Sequence, residues 1–292
     1  MRMVGVPESS LDHWANQFVA KGYKIARVDQ MESALGKEMR EREDSVGGAK
    51  AKKVDKIIHR ELACVLTKGT LVEGSMLEDD MATYCVAIKE TTSTADDLPT
   101  FGIAFVDTAT GQFFLSEFVD DVDLTKFETF VAQTRPQELL LEKSCISVKA
   151  LRILKNNTSP TTIWNYLKTG KEFWGADATK RELDCSGYFL TEEPGADEEW
   201  PATLTEAKDK EIIMSAFGAL VQYLRSLKLD RDLLSQRNFA WYNPIQKSTT
   251  LVLDGQTLIN LEIFSNTYDG GQAGTLFKML NRCITQIGRA HV

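Results

Sequence analysis

Residues 101–118, FGIAFVDTATGQFFLSEF, leave this chain the least freedom in what it can become. Two runs rich in Phe, Val and Ile flank a short Gly-bearing stretch, which predicts an antiparallel hairpin turning at Thr108–Gly111. A lone hairpin is marginal in water, so its neighbours must cover it. TYCVAIKE before it reads as another strand. After it, LTKFETFVAQTRP reads as a helix closed by Pro136, ELLLE as a short buried strand, and VKALRILKN as a second helix. That order predicts an α/β domain of mixed sheet over residues 74–190.

Upstream, PESSLDHWANQFVAKGYKIARVDQ predicts a helix and then a strand. Ser9 with Asp12 suits an N-cap and its partner, Leu11, Trp14, Phe18 and Val19 form an apolar face expected in a core, and Gly22 ends the helix. A helix-to-strand unit this complete is expected to pack on something preceding it. A polar stretch with Gly47 and Gly48 reads as a loop, and DKIIHRELACVLT as a helix turning into a strand, with a boundary near residue 73.

Downstream, TEEPGADEEWP reads as an acidic linker, placed at 191–205. From Ala207 to Leu227 an amphipathic helix is expected, with Ile213, Phe217, Leu220, Leu224 and Leu227 on one side. LVLD then reads as a short strand, and GQTLINLEIFSN and GTLFKMLNRCIT as helices. Residues 206–285 are thus expected to begin a separate, mostly helical part.

The charge balance, 34 Lys and Arg against 42 Asp and Glu, opposes a generic nucleic-acid binder, because phosphate contacts need surplus cations. Residues 1–73 differ, with 13 basic against 11 acidic side chains. The basic features there are Lys21, Lys24 and Arg27, with Lys50, Lys52 and Lys53 in the polar loop. They are read either as contacts to a DNA backbone or as a solvated face. Five cysteines without a C-x-x-C pair oppose a zinc ribbon or redox motif and suit a reducing compartment, cytosolic or nuclear. No signal segment and no run of 18 apolar residues is present, so no membrane role is expected.

Catalytic chemistry is scarce, and no catalytic, cofactor-binding or metal-ligating residue is assigned. No G-x-x-x-x-G-K-[ST] occurs, and DGGQAGTLFK reads as a helix-to-helix turn. Asp107, at a strand end, invites a two-metal nuclease reading with Glu138 and Glu142, since two metals require several converging carboxylates. The plainer reading is that Asp107 caps its own turn. His13 and His59 lack a second ligand at metal spacing, and His291 is given no role.

Several of these segments resemble one family. PESSLDHWANQFVAKGYKIARVDQMES and RELACVLTKGT are similar to the second half of the mismatch-recognition domain of MutS proteins. FGIAFVDTATGQFFLSEFVDD resembles the opening hairpin of their connector domain, and FWGADATKRELDCSGYF resembles a segment typical of the eukaryotic homolog six subgroup. SAFGALVQYLRSLKLDRDLLS, LVLDGQTLINLEIF and GTLFKMLNRCIT follow the start of the core and lever region.

The resemblance implies a partial mismatch-recognition domain at 1–73, a ribonuclease-H-like connector at 74–190, and the start of a helical core and lever domain at 206–285. It implies a nuclear parent that binds duplex DNA with mispairs or small loops, as a heterodimer with a MutS homolog two subunit, through a Phe wedge. It also implies ATP and Mg²⁺ at a P-loop elsewhere in that parent, with no cofactor in this chain. In the family T-P-x-G-x-R is expected after Thr285, so Gln286–Val292 reads as a non-native tail. The Phe-x-Glu wedge is expected before Pro7, so the chain reads as a fragment truncated at both ends. The alternatives are a non-catalytic interaction module on a MutS partner's connector surface, and a ribonuclease-H-like nuclease centred on Asp107.

Overall fold

The computed structural model describes residues 4–32, 39, 58–71, 82–92, 98–189, 200–245 and 253–283. A short 3-10 turn, Glu8–Ser10, leads into α1 (Leu11–Ala20), followed by β1 (Ile25–Gln30), which pairs antiparallel with β2 (Arg60–Leu66). Then come β3 (Tyr84–Thr92), β4 (Pro99–Asp107) and β5 (Gln112–Val119), α2 (Thr125–Thr134), β6 (Glu138–Glu142), α3 (Val148–Asn157), β7 (Ile163–Leu167) and α4 (Ala176–Ser186). The last elements are α5 (Ala202–Ala207), α6 (Glu211–Leu227), α7 (Asp230–Leu234), β8 (Phe239–Trp241), α8 (Gly255–Asn260) and α9 (Leu276–Leu280).

Strands β3 to β8 form one mixed sheet in the order β7-β6-β3-β4-β5-β8. The hairpin turns where expected, with Asp107 paired to Gln112. β3, β4 and β5 run antiparallel, whereas β6 is parallel to β3, β7 to β6 and β8 to β5. Side chains alternate between two faces, each with its own core. Cys85, Ala104, Phe113 and Leu140 meet Phe217, Leu220 and Leu224 of α6 and Leu183 of α4. Val86, Ile103, Leu139 and Leu141 meet Phe127 and Phe130 of α2 and Leu154 of α3. The result is three layers, helix, sheet and helix. Helix α6 lies so close that a Cβ on Gly102 would stand 2.7 Å from the backbone carbon of Ile212.

A third, smaller core gathers Ala15, Val19 and Leu71, with Ile25, Leu66 and Ala109 against it. Ala109 belongs to the β4–β5 turn, so the α1-β1-β2 unit leans on that end of the large sheet.

Several expectations need correction. Trp14 and Phe18 are not core residues, being 40% and 48% exposed. The helix packs through Ala15 and Val19, one residue further round, and its large rings lie on the flank, edge-on to His13 and Tyr23. Ser9 caps nothing here, since it lies within the 3-10 turn and the Ser10 hydroxyl donates back to the carbonyl of Pro7. Helix Glu211–Leu227 does not open a separate helical part, because its apolar side covers the sheet, and β8 extends the sheet's edge to Trp241. The helix expected to begin at Ala207 is broken there, α5 ending before α6 starts.

LVLD is no strand over its described residues: Asp254 instead caps α8 by accepting from the Thr257 amide at 2.7 Å. That helix stops at Asn260, short of the expected span, and Glu262 adopts a left-handed φ of 49°. α9 is likewise only Leu276–Leu280. The polar loop with Lys50, Lys52 and Lys53, most of the acidic linker, and Gln286–Val292 lie outside the described residues.

Candidate functional site

β6 begins with a carboxylate that the alternation of the strand turns toward α6. Glu138 is completely buried, and burying a charge is costly unless it is hydrogen-bonded on all sides. Its surroundings meet that demand. Thr67 Oγ1 donates to Oε2 at 2.5 Å, and Asn165 Nδ2 on β7 donates to Oε1 at 2.8 Å. The Tyr223 hydroxyl of α6 donates to the same Oε1, and Lys24 Nζ stands 3.7 Å from it. Thr70 joins through Thr67 at 2.7 Å.

Four separate parts of the chain therefore end on one carboxylate: the α1–β1 link, the turn after β2, the sheet and α6. The turn comes unusually close. A Cβ on Gly69 would stand 2.3 Å from the Cβ of Glu138, so only glycine lets the turn lie flat on β6.

Lys24 is held inward, donating to Asn165 Oδ1 at 3.0 Å and the Tyr223 hydroxyl at 2.9 Å, and lying over the Tyr223 ring. This ammonium, expected at a DNA backbone, thus also serves the junction, with 41% of its side chain exposed. Burial, and next the Glu138 charge, pushes the Tyr223 hydroxyl far above its ordinary pKa. Burial and Glu138 likewise push the Cys85 thiol up. Both groups therefore keep their protons at neutral pH, and the arrangement joins the segments through hydrogen bonds.

The other carboxylates weighed for metal binding are engaged separately. Asp107 accepts from the Ala109 amide at 3.0 Å and the Thr110 hydroxyl at 2.8 Å, the turn-capping role. Glu142 pairs with Lys89, whose ammonium lies over the Phe173 ring. Among the described residues no three His, Cys, Asp or Glu side chains converge as a metal site needs.

Lys21 is exposed at the end of α1. Arg27 pairs with Asp29 at 3.1 Å, and that hydrogen bond and charge raise its guanidinium pKa. His13 sits 3.1 Å from Gln17 Nε2, and the His59 amide donates to Glu32. In DGGQAGTLFK the Gly271 amide donates to Asp269 Oδ1 at 2.8 Å, and its carbonyl accepts from the Asn266 amide at 2.8 Å. The stretch forms a turn between α8 and α9.

Thr67, Asn165 and Tyr223 were not legible as site residues. Their one sequence signal is a fully buried strand, ELLLE, that carries a carboxylate at each end, which demands partners without naming them.

A family model described as MutS domain II matches residues 83–237, and one described as MutS domain I matches residues 1–75. The domain II match runs through α6, in keeping with that helix covering the sheet. Similar relatives include the DNA mismatch repair protein MSH6 of Saccharomyces cerevisiae, 44% identical across 99% of this chain and 23% of that protein. The DNA mismatch repair protein Msh6 of Homo sapiens is 33% identical across 98% of this chain and 23% of its own length. The DNA mismatch repair protein MutS of Methanosarcina barkeri is 25% identical across 99% of this chain and 29% of its own. The chain thus spans 23% to 29% of the length of these relatives.

Proposed function

This chain belongs to the MutS family, and from that premise we propose that it is the part of a DNA mismatch repair protein that connects the mismatch-binding end to the rest of the molecule. The whole protein, on this reading, acts in the nucleus, binds duplex DNA carrying mispairs or small loops, and pairs with a MutS homolog two subunit. It couples recognition to ATP and Mg²⁺ at a P-loop outside these residues, and this chain alone hydrolyses no ATP. Residues 1–73 correspond to the later half of the mismatch-recognition domain, and residues from 74 onward to the connector. Helix α6 and β8 belong with the connector sheet, and the segment after Trp241 leads into the core and lever.

The strand arrangement supports a ribonuclease-H-like connector: three antiparallel strands with two parallel ones added beyond the first. A shared fold carries no activity by itself. Asp107 is committed to its turn, which favours a binding and relay role over nuclease chemistry. Lys21 and Lys24, with Lys50, Lys52 and Lys53 outside the described residues, are the side chains proposed to meet phosphates.

The observation that carries the relay reading is the Glu138 junction, where the segment matched as domain I is fastened to the domain II sheet and to α6. The test is a graft of residues 4–283 in place of the matching segment of the Saccharomyces cerevisiae relative, in cells lacking their own copy. A mutation rate restored to near the wild-type level is expected. A rate equal to that of the deletion strain overturns the proposal.

A further inference from the structure

On the other side of the β6 and β7 starts lies a polar cleft that the junction does not use. Its volume is 340 Å³, and its walls come from three parts of the chain: Lys68 after β2, Arg135, Gln137 and Thr161 beside the sheet, and the 264–272 loop. An adjoining cleft of 390 Å³ shares Arg135, Ser159 and Phe264 and adds the apolar side chains of Leu258 and Ile259. Ligand sites favour such meeting points.

The charges are one-sided. Neither cleft is lined by a carboxylate, although the chain is net −8, and both charged lining residues, Lys68 and Arg135, are cations. Two helices end here, α2 at Arg135 and α3 at Thr158, and each carbonyl end contributes roughly half a negative charge. Two full cations outweigh about one negative charge, so the cleft remains anion-selective. The Lys68 ammonium donates to Thr161, and Arg135 also has a partner. A guanidinium carries five N–H donors and an ammonium three, so each can hold an anion as well.

Gln137 narrows the choice of anion. Its backbone is committed, the amide to the Tyr84 carbonyl at 3.1 Å and the carbonyl to the Ile163 amide at 3.0 Å. Gln137 lines the cleft, and its side-chain Oε1 is buried and accepts no hydrogen bond among the described residues. A buried acceptor without a donor costs about 1–3 kcal/mol, and a ligand that brings a proton recovers it. Sulfate and a phosphodiester bring none at neutral pH, whereas hydrogen phosphate carries one P–OH.

We propose that this cleft is a phosphate site. Lys68 and Arg135 balance the oxyanion, Thr161 and Ser159 offer hydroxyls, and Gln137 Oε1 accepts the P–OH proton. The ligand is inorganic phosphate, since a phosphomonoester, with a second pKa of about 6, is mostly a dianion without a P–OH at neutral pH.

Calorimetric titration of the full 292-residue chain with inorganic phosphate, sulfate, dimethyl phosphate and phenyl phosphate tests this, with folding followed by circular dichroism. Saturable phosphate binding is expected, at least tenfold tighter than sulfate or dimethyl phosphate. Arg135→Gln should weaken it at least tenfold, with Lys68→Gln giving the same reading should the first variant not fold. Gln137→Met should lower phosphate to the level of sulfate and leave sulfate unchanged. Phenyl phosphate, largely a dianion without a P–OH at neutral pH, should bind no tighter than sulfate, and binding equal to or tighter than phosphate overturns the proposal. No saturable binding, equal binding of phosphate and sulfate, or binding indifferent to both cation variants overturns the proposal.

Discussion

The hydroxyl of Tyr223 on α6 donates to Oε1 of Glu138, 85 residues earlier in the chain, and both side chains are buried. Because Thr67 and Asn165 donate to the same carboxylate, and Lys24 lies beside it, one side chain fastens the α1-β1-β2 unit to the large sheet. Desolvation makes the tie all-or-none, since a partner removed leaves a buried charge short of a donor.

Tyr223→Phe should therefore destabilise the chain by about 1–3 kcal/mol, and Glu138→Gln by a similar amount. The two changes act on one bond, so the double variant should lose less than the sum, with a coupling of about 0.5–3 kcal/mol. Urea denaturation of the four proteins measures this. Strict additivity would show that the bond contributes nothing specific.

Gly69→Ala places a methyl 2.3 Å from the Cβ of Glu138 and 3.3 Å from its backbone nitrogen, atoms fixed by the strand, which limits relief. A loss of about 1–3 kcal/mol is expected, as for other overpacked sites. Gly5→Ala, with nothing within 4 Å, should change stability by less than about 0.5 kcal/mol. Thermal melts of the two variants separate a close-approach requirement from a general glycine effect.

Tyr84 supplies a pH test. Burial, and next the Asp107 charge, raises its hydroxyl pKa to about 12. The folded state then holds the proton more tightly than the unfolded one, so this contribution is complete below pH ~10 and is lost as pH rises towards ~12. Stability should fall by up to about 1.4 kcal/mol per pH unit in that window on account of this one group. Tyr84→Phe should flatten that limb, and an unchanged alkaline slope would refute the assignment.

Asp107→Asn keeps one acceptor oxygen, for the Ala109 amide, but loses the charge and puts an NH2 group where Oδ2 accepts from the Thr110 hydroxyl. A cost of about 0.5–1.5 kcal/mol is expected. Incubated with Mg²⁺ or Mn²⁺ and labelled duplex or hybrid substrates, neither protein should cleave. Cleavage by the wild type that disappears in the variant would establish the nuclease alternative.

What could be read from the residues alone follows the range of the interactions. The hairpin at Thr108–Gly111, the α2 and α3 helices and the ELLLE strand are set by local period and turn chemistry, and all lie where expected. The α6 face was also legible, since Ile213, Phe217, Leu220, Leu224 and Leu227 are all buried, but periodicity does not say which surface they cover. For the same reason Trp14 and Phe18 were placed inward, whereas the neighbouring Ala15 and Val19 make the contact. β7 and β8 escaped notice because IWNYL and FAW are short and half-buried, held by pairing rather than by pattern. The junction was the least legible part. Glu138 meets Thr67 across 71 residues, and no spacing rule reaches that far.

The most direct measurement is the ratio of affinities for a heteroduplex carrying one mispair and for the matched homoduplex. It should be made on the purified Saccharomyces cerevisiae relative, with residues 4–283 of this chain grafted in place of its own segment. The account predicts a ratio within about threefold of the ungrafted protein's, a difference below roughly 0.7 kcal/mol. A grafted protein that folds and binds both duplexes equally would contradict it.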